Sequence, residues 1–551
     1  MVQTISTNLG TSLAAAVSGL RATQTGIDLI SRNIANATTE GYTRKKVQQV
    51  QLIIAGKGQG VRVGEIERYV NARLQLQTRQ SSSQEEAYRV RDTFLSQLET
   101  SLGKPGDNTS LASIMGQLAD AFRQLATSPD VITAQVAVTS KAETLARSFN
   151  DLTKLIQVLR TDAETAIKAG VDDINARLVA LEDLNEQIGE ARALHQSTAD
   201  LEDQRDIVLS EIAKEIPITY FERENGHVWI VTSDGRTLMD DEPHPLNFAN
   251  SFQVNAGLSY PGSLNGVIVD GVDIMPALVS GRLGGLFDLR DDILTQAQQQ
   301  LDELAGRTAS LFALQDMDIF NVGAESTLVT GRTATGGAPA GATTFTDSGG
   351  GAGLTVGMLV KFTGHDTIYE VTALAGATVT IAPADGSVGL QAPVANNERL
   401  TYVERPSTAG YAGRIKVNPI MNAEPWRARD GTFVTAPNPN EGDETLPLNV
   451  VNMFESLHPF STGVGLGSPF TLEGYAAAFI TFQGTQRSNT SELLKSQESL
   501  TTSLKTRLEN ESGVNVDQEL ALMIELQNAY AANARVVQTV RQLFDDLLGM
   551  I

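Results

Sequence analysis

Apolar residues recur along the first stretch of the chain with helical spacing. Leu13, Leu20, Ile27 and Ile34 stand seven apart, with Ala16, Val17 and Ile30 filling much of the second seam position. This predicts an amphipathic N-terminal helix. The same period returns at the other end, where Val516, Met523, Tyr530, Val537, Phe544 and Ile551 form a heptad row. Asn515 precedes that row as a suitable cap, and Asp517 and Glu519 suit the positive end of the helix dipole. Between Val131 and Ile216, one row runs through Ile167, Ile174, Leu181 and Ile188, with Val171, Leu178, Leu184 and Ala191 beside it. At least two long antiparallel helices are expected there. A further helix is expected from Leu286 to about Leu314, and another from Leu472 to Leu508.

After Pro217 the period changes to alternation. ITYFERE, HVWIVT and RTLMD are separated by Asn225-Gly226 and Asp234-Gly235, which are strong hairpin signals. From about 322 to 445, MLVKFTG, TIYEVTAL and ATVTIAP alternate between glycines, and 16 of the chain's 48 glycines fall in residues 321 to 420. Proline is absent from residues 1 to 104 and after Pro469, leaving both ends free to be helical. The fold class expected is a multidomain α+β chain. Its N- and C-terminal helices pair as a coiled-coil-like rod, a long helical bundle follows, and β domains are inserted in the middle. The units read as 1-70 with 512-551 (terminal, helical), 71-216 with 280-321 and 446-511 (long-helix rod), 217-279 (hairpins) and 322-445 (Gly-rich, outer).

Charge narrows the partners. The chain carries 42 Lys plus Arg against 65 Asp plus Glu, a net charge of −23, which repels nucleic acid and anionic membranes and points to protein partners. It has no cysteine, so disulfides, thiol nucleophiles and Cys-ligated zinc are excluded. No apolar run is long enough to span a membrane and MVQTISTNLG lacks the features of a secretory signal, so neither membrane insertion nor the general secretion route is expected.

A search for reactive constellations assigns no catalytic, cofactor or metal residues. His195, His227, His244, His365 and His458 are scattered and read as surface or turn residues. Gly349 to Gly353 superficially suggests a phosphate loop but lacks the Lys and the following helix, so it reads as a flexible turn. Leu201-Glu202-Asp203-Gln204-Arg205-Asp206 reads as helix-surface ion pairing. Arg44-Lys45-Lys46, the one notable basic cluster, reads as a solvated strand or loop.

The terminal stripes read as interface rather than monomer core, because two paired helices bury only one side of each stripe. Val17-Ser18-Gly19-Leu20 followed by Asn33-Ile34-Ala35-Asn36-Ala37-Thr38-Thr39-Glu40-Gly41-Tyr42-Thr43-Arg44 resembles the N-terminal motif of the bacterial flagellar axial proteins, the rod, hook and hook-associated proteins. The run from Ser512 to Leu548 is similar to the same family's C-terminal motif. LEDQRDIVLSEIAKEI from Leu201 and SGRLGGLFDLRDDIL from Ser280 look like the hook-associated branch. Glu40 stands where the family usually has proline before its Gly-Tyr pair.

The resemblance implies a non-enzymatic structural adaptor between hook and filament, with terminal helices in an inner tube and β domains facing outward. It implies export, without a cleaved signal, through the flagellar type III apparatus to an extracellular site on the flagellum. The partners implied are further copies of this chain in a ring, the hook protein, the second hook-associated junction protein and an export chaperone at the C-terminal helix. The subunit-interface residues expected are Leu13, Leu20, Ile27, Ile34, Asn36, Gly41, Tyr42, Met523, Tyr530, Val537 and Phe544, with the first four packing on the last four. Another axial protein is the alternative within this class. A secreted hydrolase or adhesin using the 322 to 445 module is the alternative outside it.

Overall fold

A computed structural model describes residues 2–54, 57–321, 327–363, 365, 367–383, 387–404 and 409–549. The chain starts with α1 (Val2–Ala35), followed by a ribbon of β1 (Lys45–Ile54) and β2 (Lys57–Arg68). Four helices come next: α2 (Ala72–Leu102), α3 (Leu111–Thr127), α4 (Ile132–Ala193) and α5 (Ala199–Glu215). A three-stranded sheet pairs β3 (Ile218–Glu222), β4 (Val228–Thr232) and β5 (Thr237–Met239) in order, and β6 (Ile268–Val269) pairs with β7 (Val272–Asp273). Then α6 (Gly281–Phe287) runs through a π-helical turn (Asp288–Ile293) into α7 (Leu294–Ala313).

Six strands close a barrel: β8 (Leu328–Thr335), β9 (Thr344–Asp347), β10 (Leu359–Phe362), β11 (Ile368–Ala375), β12 (Thr378–Pro383) and β13 (Glu398–Val403). Short helices α8 (Ile420–Ala423) and α9 (Arg427–Asp430) follow. The chain ends with α10 (Thr445–Glu455), α11 (Leu472–Ser512) and α12 (Val516–Gly549).

Side-chain caps set several helix starts. Asn71 accepts from Leu74 N at 3.1 Å, Ser110 from Ser113 N at 3.2 Å, Thr471 from Gly474 N at 3.0 Å and Asn515 from Gln518 N at 3.1 Å. Each satisfies an amide that lacks an intrahelical partner.

Three apolar cores result. One joins α3, the first half of α4, α7, α10 and the start of α11; a second joins the rest of α4 to α5, β3–β5 and α6; a third fills the barrel. None contains a residue of α1 or α12. These two helices pair with each other, and the ribbon lies against α1.

Three differences from the sequence reading stand out. The first 70 residues hold a β-ribbon as well as a helix, because VQQVQLII and the glycine-punctuated GQGVRVG pair antiparallel. The barrel ends at Val403, and Tyr411, Ile415, Met421 and Ala428 pack back into the rod core, so the expected 322-445 unit divides between barrel and rod. The helix expected from Leu286 is broken in register by the π-turn, which leaves no mark in the apolar period.

Candidate functional site

The terminal helices run antiparallel, and small residues carry their contact. A Cβ placed on Gly19 would lie 2.8 Å from Asn533 Nδ2, one on Gly26 2.7 Å from Leu526 Cδ1, and Asn33 Nδ2 donates to Glu519 Oε2 at 3.0 Å. Gly19, Gly26 and Asn33 are spaced by seven, as are Glu519, Leu526, Asn533 and Val540 opposite them. The heptad period is therefore present but its phase differs from the expected one.

Leu13, Leu20, Ile27 and Ile34 lie beside this contact row and are half-buried, while Ala16, Ala22, Gly26, Leu29, Ile30 and Asn33 are buried. Met523, Val537 and Phe544 are also half-buried, and Tyr530 is exposed. Glycine decides the phase: without Cβ atoms the backbones approach more closely along that row than along one bearing leucines. Ile551 lies outside the described residues.

At the end of this contact the chain builds a polar joint. Asn33 is fully buried and its amide is completely used. Nδ2 donates to Lys45 O (3.0 Å) as well as Glu519, and Oδ1 accepts from Tyr42 OH (3.0 Å) and Lys45 N (3.3 Å). Arg44 Nε reaches Glu519 Oε1 at 2.6 Å, and Arg44 N donates to Ser512 O at 2.8 Å, so N- and C-terminal motifs lock together.

The next layer connects to α5. Thr43 Oγ1 donates to Asp203 Oδ1 (2.6 Å), and buried Lys45 pairs with Asp200 and with Asp203 (2.9 Å). Arg68 spans Glu202, Asp203 and Asp206 at 2.8, 3.0 and 2.8 Å, and Arg79 of α2 reaches Asp206 at 2.9 Å.

Electrostatics favour the charged forms of Lys45, Arg68, Glu202 and Asp206. Burial works against the charge on Lys45, but Asp200 and Asp203 outweigh it and hold its pKa above the ordinary lysine value. Burial likewise opposes charge on Arg68, and Asp206, Glu202 and Asp203 raise it overall. Burial alone would push the Asp206 carboxyl up, but Arg79 and Arg68 hold it below its usual range. Glu202 is lowered against its burial by the Thr198 hydroxyl, Arg68 and Arg192.

Two features read separately in the sequence thus meet here. Arg44-Lys45-Lys46 is not a solvated cluster: Arg44 and Lys45 are consumed within the chain and Lys46 alone is exposed. The ion pairs of the acidic residues from Glu202 to Asp206 run to other elements rather than along their own helix, and Arg205 pairs with Glu222 at 3.0 Å. Their opposite charges were the available signal, but only the fold brings them together.

Asn36, Gly41 and Tyr42 have roles inside the chain. Asn36 Nδ2 bonds Arg32 O at 3.0 Å and ends α1. Gly41 adopts φ +78° and lies where a Cβ would be 2.6 Å from Ile207 of α5, which excludes a side chain on both counts. Tyr42 holds Asn33 and places its ring 3.7 Å from Lys45 Nζ. A cleft of about 730 Å³ opens beside the joint, lined in part by Gly41, Arg79, Ile207, Lys505 and Val514.

Elsewhere, the Gly349–Gly353 loop is ordered by an internal anion. Asp347 Oδ2 accepts from Gly349 N (3.0 Å), Gly351 N (3.1 Å) and Arg332 Nη1 (3.0 Å), so the chain's own carboxylate fills the nest. His365 and His458 are buried rather than at the surface. No group of three or more His, Asp or Glu suited to a metal occurs among the described residues, nor is any helix among them long and apolar enough to cross a membrane.

Comparison with known proteins matches three segments of the chain. Residues 95–318 match the flagellar hook-associated protein FlgK helical domain, 508–550 the flagellar basal body rod FlgEFG protein C-terminal region, and 13–43 the flagella basal body rod protein. Flagellar hook-associated protein 1 of Escherichia coli (strain K12) is 25% identical over 564 residues, covering 97% of this chain and 98% of that one. Its namesake in Salmonella typhimurium is 24% identical over 580 residues, covering 97% and 99%. Among solved structures, the flagellar hook junction protein FlgK from Burkholderia pseudomallei aligns with a TM-score of 0.49 at 16% identity, covering 78% of this chain and 99% of that one. Asn33 and Thr43, Asp203 and Asp206, and Ser512 and Glu519 come from three different matched segments. The joint is where those segments converge.

Proposed function

We propose, from the premise that this chain belongs to the flagellar hook-associated protein family, that it is the structural adaptor that joins hook to filament. In this reading α1, the β1–β2 ribbon and α12 form the assembling unit, and the rod and barrel lie outside it. No reaction is catalysed; the work is done by bonding.

One observation carries the reading. The pair α1–α12 covers only one side of α12 and leaves Val516, Leu520 and Ile524 exposed on one flank and Leu522, Val536 and Leu543 on the other. A helix with uncovered apolar flanks on both sides is suited to packing between neighbours in a closed ring of identical copies. Leu13, Leu20, Ile27, Ile34, Met523, Val537 and Phe544, each half-covered, would complete their burial there, as would the more exposed Tyr530.

The partners proposed are other copies laterally, and the hook protein and the second hook-associated junction protein axially. Export by the type III apparatus to the outside of the cell, with a chaperone shielding α12 beforehand, fits the same exposed apolar surface.

Immunogold electron microscopy of sheared flagella, with antibody against the barrel (residues 328–403), tests the placement. A band where hook meets filament is expected. Label along the whole hook or filament would assign a different axial role, and label found only in the medium would sink the adaptor reading.

A further inference from the structure

Helix α11 changes character along its length. From Leu472 to Gln483 it is a core helix: Tyr475, Ala476, Phe479 and Ile480 are buried in the largest apolar core, and Gln483 bonds Gln300 of α7 at 2.8 Å. Beyond Gln483 it buries only Thr501 and Ser512 down to its end.

Most of the bonds that hold this lower half are polar, with Leu494, Leu504 and Leu508 half-buried on the same face. Ser81 Oγ lies 2.9 Å from Thr501 Oγ1, and Gln497 Nε2 donates to Ser81 O (3.0 Å) and Oγ (2.8 Å). Arg89 of α2 lies between Glu86 at 3.5 Å on its own helix and Glu498 at 3.3 Å on α11. Arg487 is shared between Asp92 (3.4 Å) and Glu99 (3.6 Å). At the bottom Asn71 Nδ2 donates to Glu511 at 2.7 Å. The α2 residues buried along this stretch include the polar run Thr78, Ser81, Ser82 and Ser83, flanked by Leu74, Ala87 and Leu95.

The energetics differ between the halves. Withdrawing the upper half would expose aromatic and aliphatic surface, a large unfavourable term. Opening the lower half exposes three leucines that are already half in water and exchanges hydroxyl, amide and partly exposed ionic contacts for water, with each polar pair contributing little net stability. Gly484 stands at the change, and a Cβ there would meet only Glu99 Oε1 at 3.7 Å, so the helix has a weak point where the anchoring ends.

We infer that the lower half of α11, residues 485–511, is a hinged strap that swings off α2 about Gly484. It carries α12 with it, and the assembling unit tilts against the rod as it enters the lattice once the bonds of the joint from Thr43, Lys45 and Arg68 to α5 open together with the strap. The inference rests on the junction reading above and adds to it a moving part. The rod remains unchanged while the strap opens, because α2 keeps its own attachments to α5 through Arg79 and to α6 through Ser83 and Ser280.

The chain's lack of cysteine allows a clean test. Ser81→Cys with Thr501→Cys closes the strap by a disulfide under oxidation, and Gln300→Cys with Gln483→Cys crosslinks the anchored half as control. Each full-length protein is added to purified hooks and its capture measured with and without reductant. The strap pair, oxidised, should be captured slower by about an order of magnitude and recover on reduction, while the control pair is captured equally in both states.

Equal capture of the oxidised and reduced strap pair would overturn the strap. Failure of the unmodified protein to be captured by hooks would instead overturn the junction reading. Hydrogen exchange gives a readout free of variants: amides of 485–508 should exchange much faster than those of 472–483 in the same helix, and equal protection of the two halves would also overturn the strap.

Discussion

Asp203 shows what a single residue does at the joint. It accepts from Thr43 Oγ1 and N, and it neutralises Lys45 and Arg68, whose side chains are mostly out of water. Asp203→Ala leaves those cations short of a partner in a buried place and should cost about 3–5 kcal/mol. Urea unfolding would read it, and a loss of under about 1 kcal/mol, the range of an exposed pair, would mean the joint is a surface ornament.

His458 makes a second prediction. Burial, together with nearby Arg307, pushes its pKa down to about 4 from 6.5, against the opposing hydrogen bond to Met453 O. Its folded form therefore resists a proton that the unfolded chain accepts. The stability due to the neutral imidazole is present above the ordinary histidine value and is lost as pH falls toward 4. Stability measured between neutral and mildly acid pH should fall less steeply in His458→Gln than in the natural chain. Glu202 and Asp206 move oppositely to a buried lone acid: their lowered values mean the joint is fully held above the usual carboxylate range and opens in stronger acid.

At the scale of the elements, the contact between α1 and α12 depends on close approach rather than on the leucine stripe. Gly26→Val should force Leu526 aside and weaken the pair by about 1–3 kcal/mol, an overpacking cost. Ile27→Val, half-buried beside the contact, should cost less than that. Thermal unfolding followed by far-ultraviolet circular dichroism compares the two, and a larger loss from the isoleucine change would restore the leucine row as the contact.

The outer flank makes the complementary prediction. Ile524→Asp, on a residue 60% exposed, should leave the isolated protein's stability unchanged and abolish its retention on hooks, read by counting secreted against bound protein. The heptad period was legible in the chain because it is a property of local spacing. Its phase was not, because Gly19 and Gly26 become contact residues only when Asn533 and Leu526 arrive opposite them.

For the whole molecule, the barrel is a closed unit set on the rod: Leu328 and Val403 are paired neighbours, so the chain enters and leaves it at one place. Yet Leu359, Ile368 and Val403 also belong to the rod core. Replacing residues 328–403 with a short linker should lower the rod's unfolding midpoint while leaving α1–α12 pairing intact, which near- and far-ultraviolet melting can separate.

Sequence by itself determined the helical ends, the two hairpins at Asn225-Gly226 and Asp234-Gly235, the cap at Asn515 and the family motifs, all of which are written in spacing and turn chemistry over a few residues. Tertiary structure alone decided that Arg44, Lys45 and Arg68 spend their charge on Glu519 and on Asp200 to Asp206, that the segment from Tyr411 to Ala428 returns to the rod, and that α11 is anchored in the apolar core at one end and held mostly by polar bonds at the other. Those facts depend on partners far away in the chain, and no local pattern of charge or hydrophobicity encodes which distant residue will lie opposite.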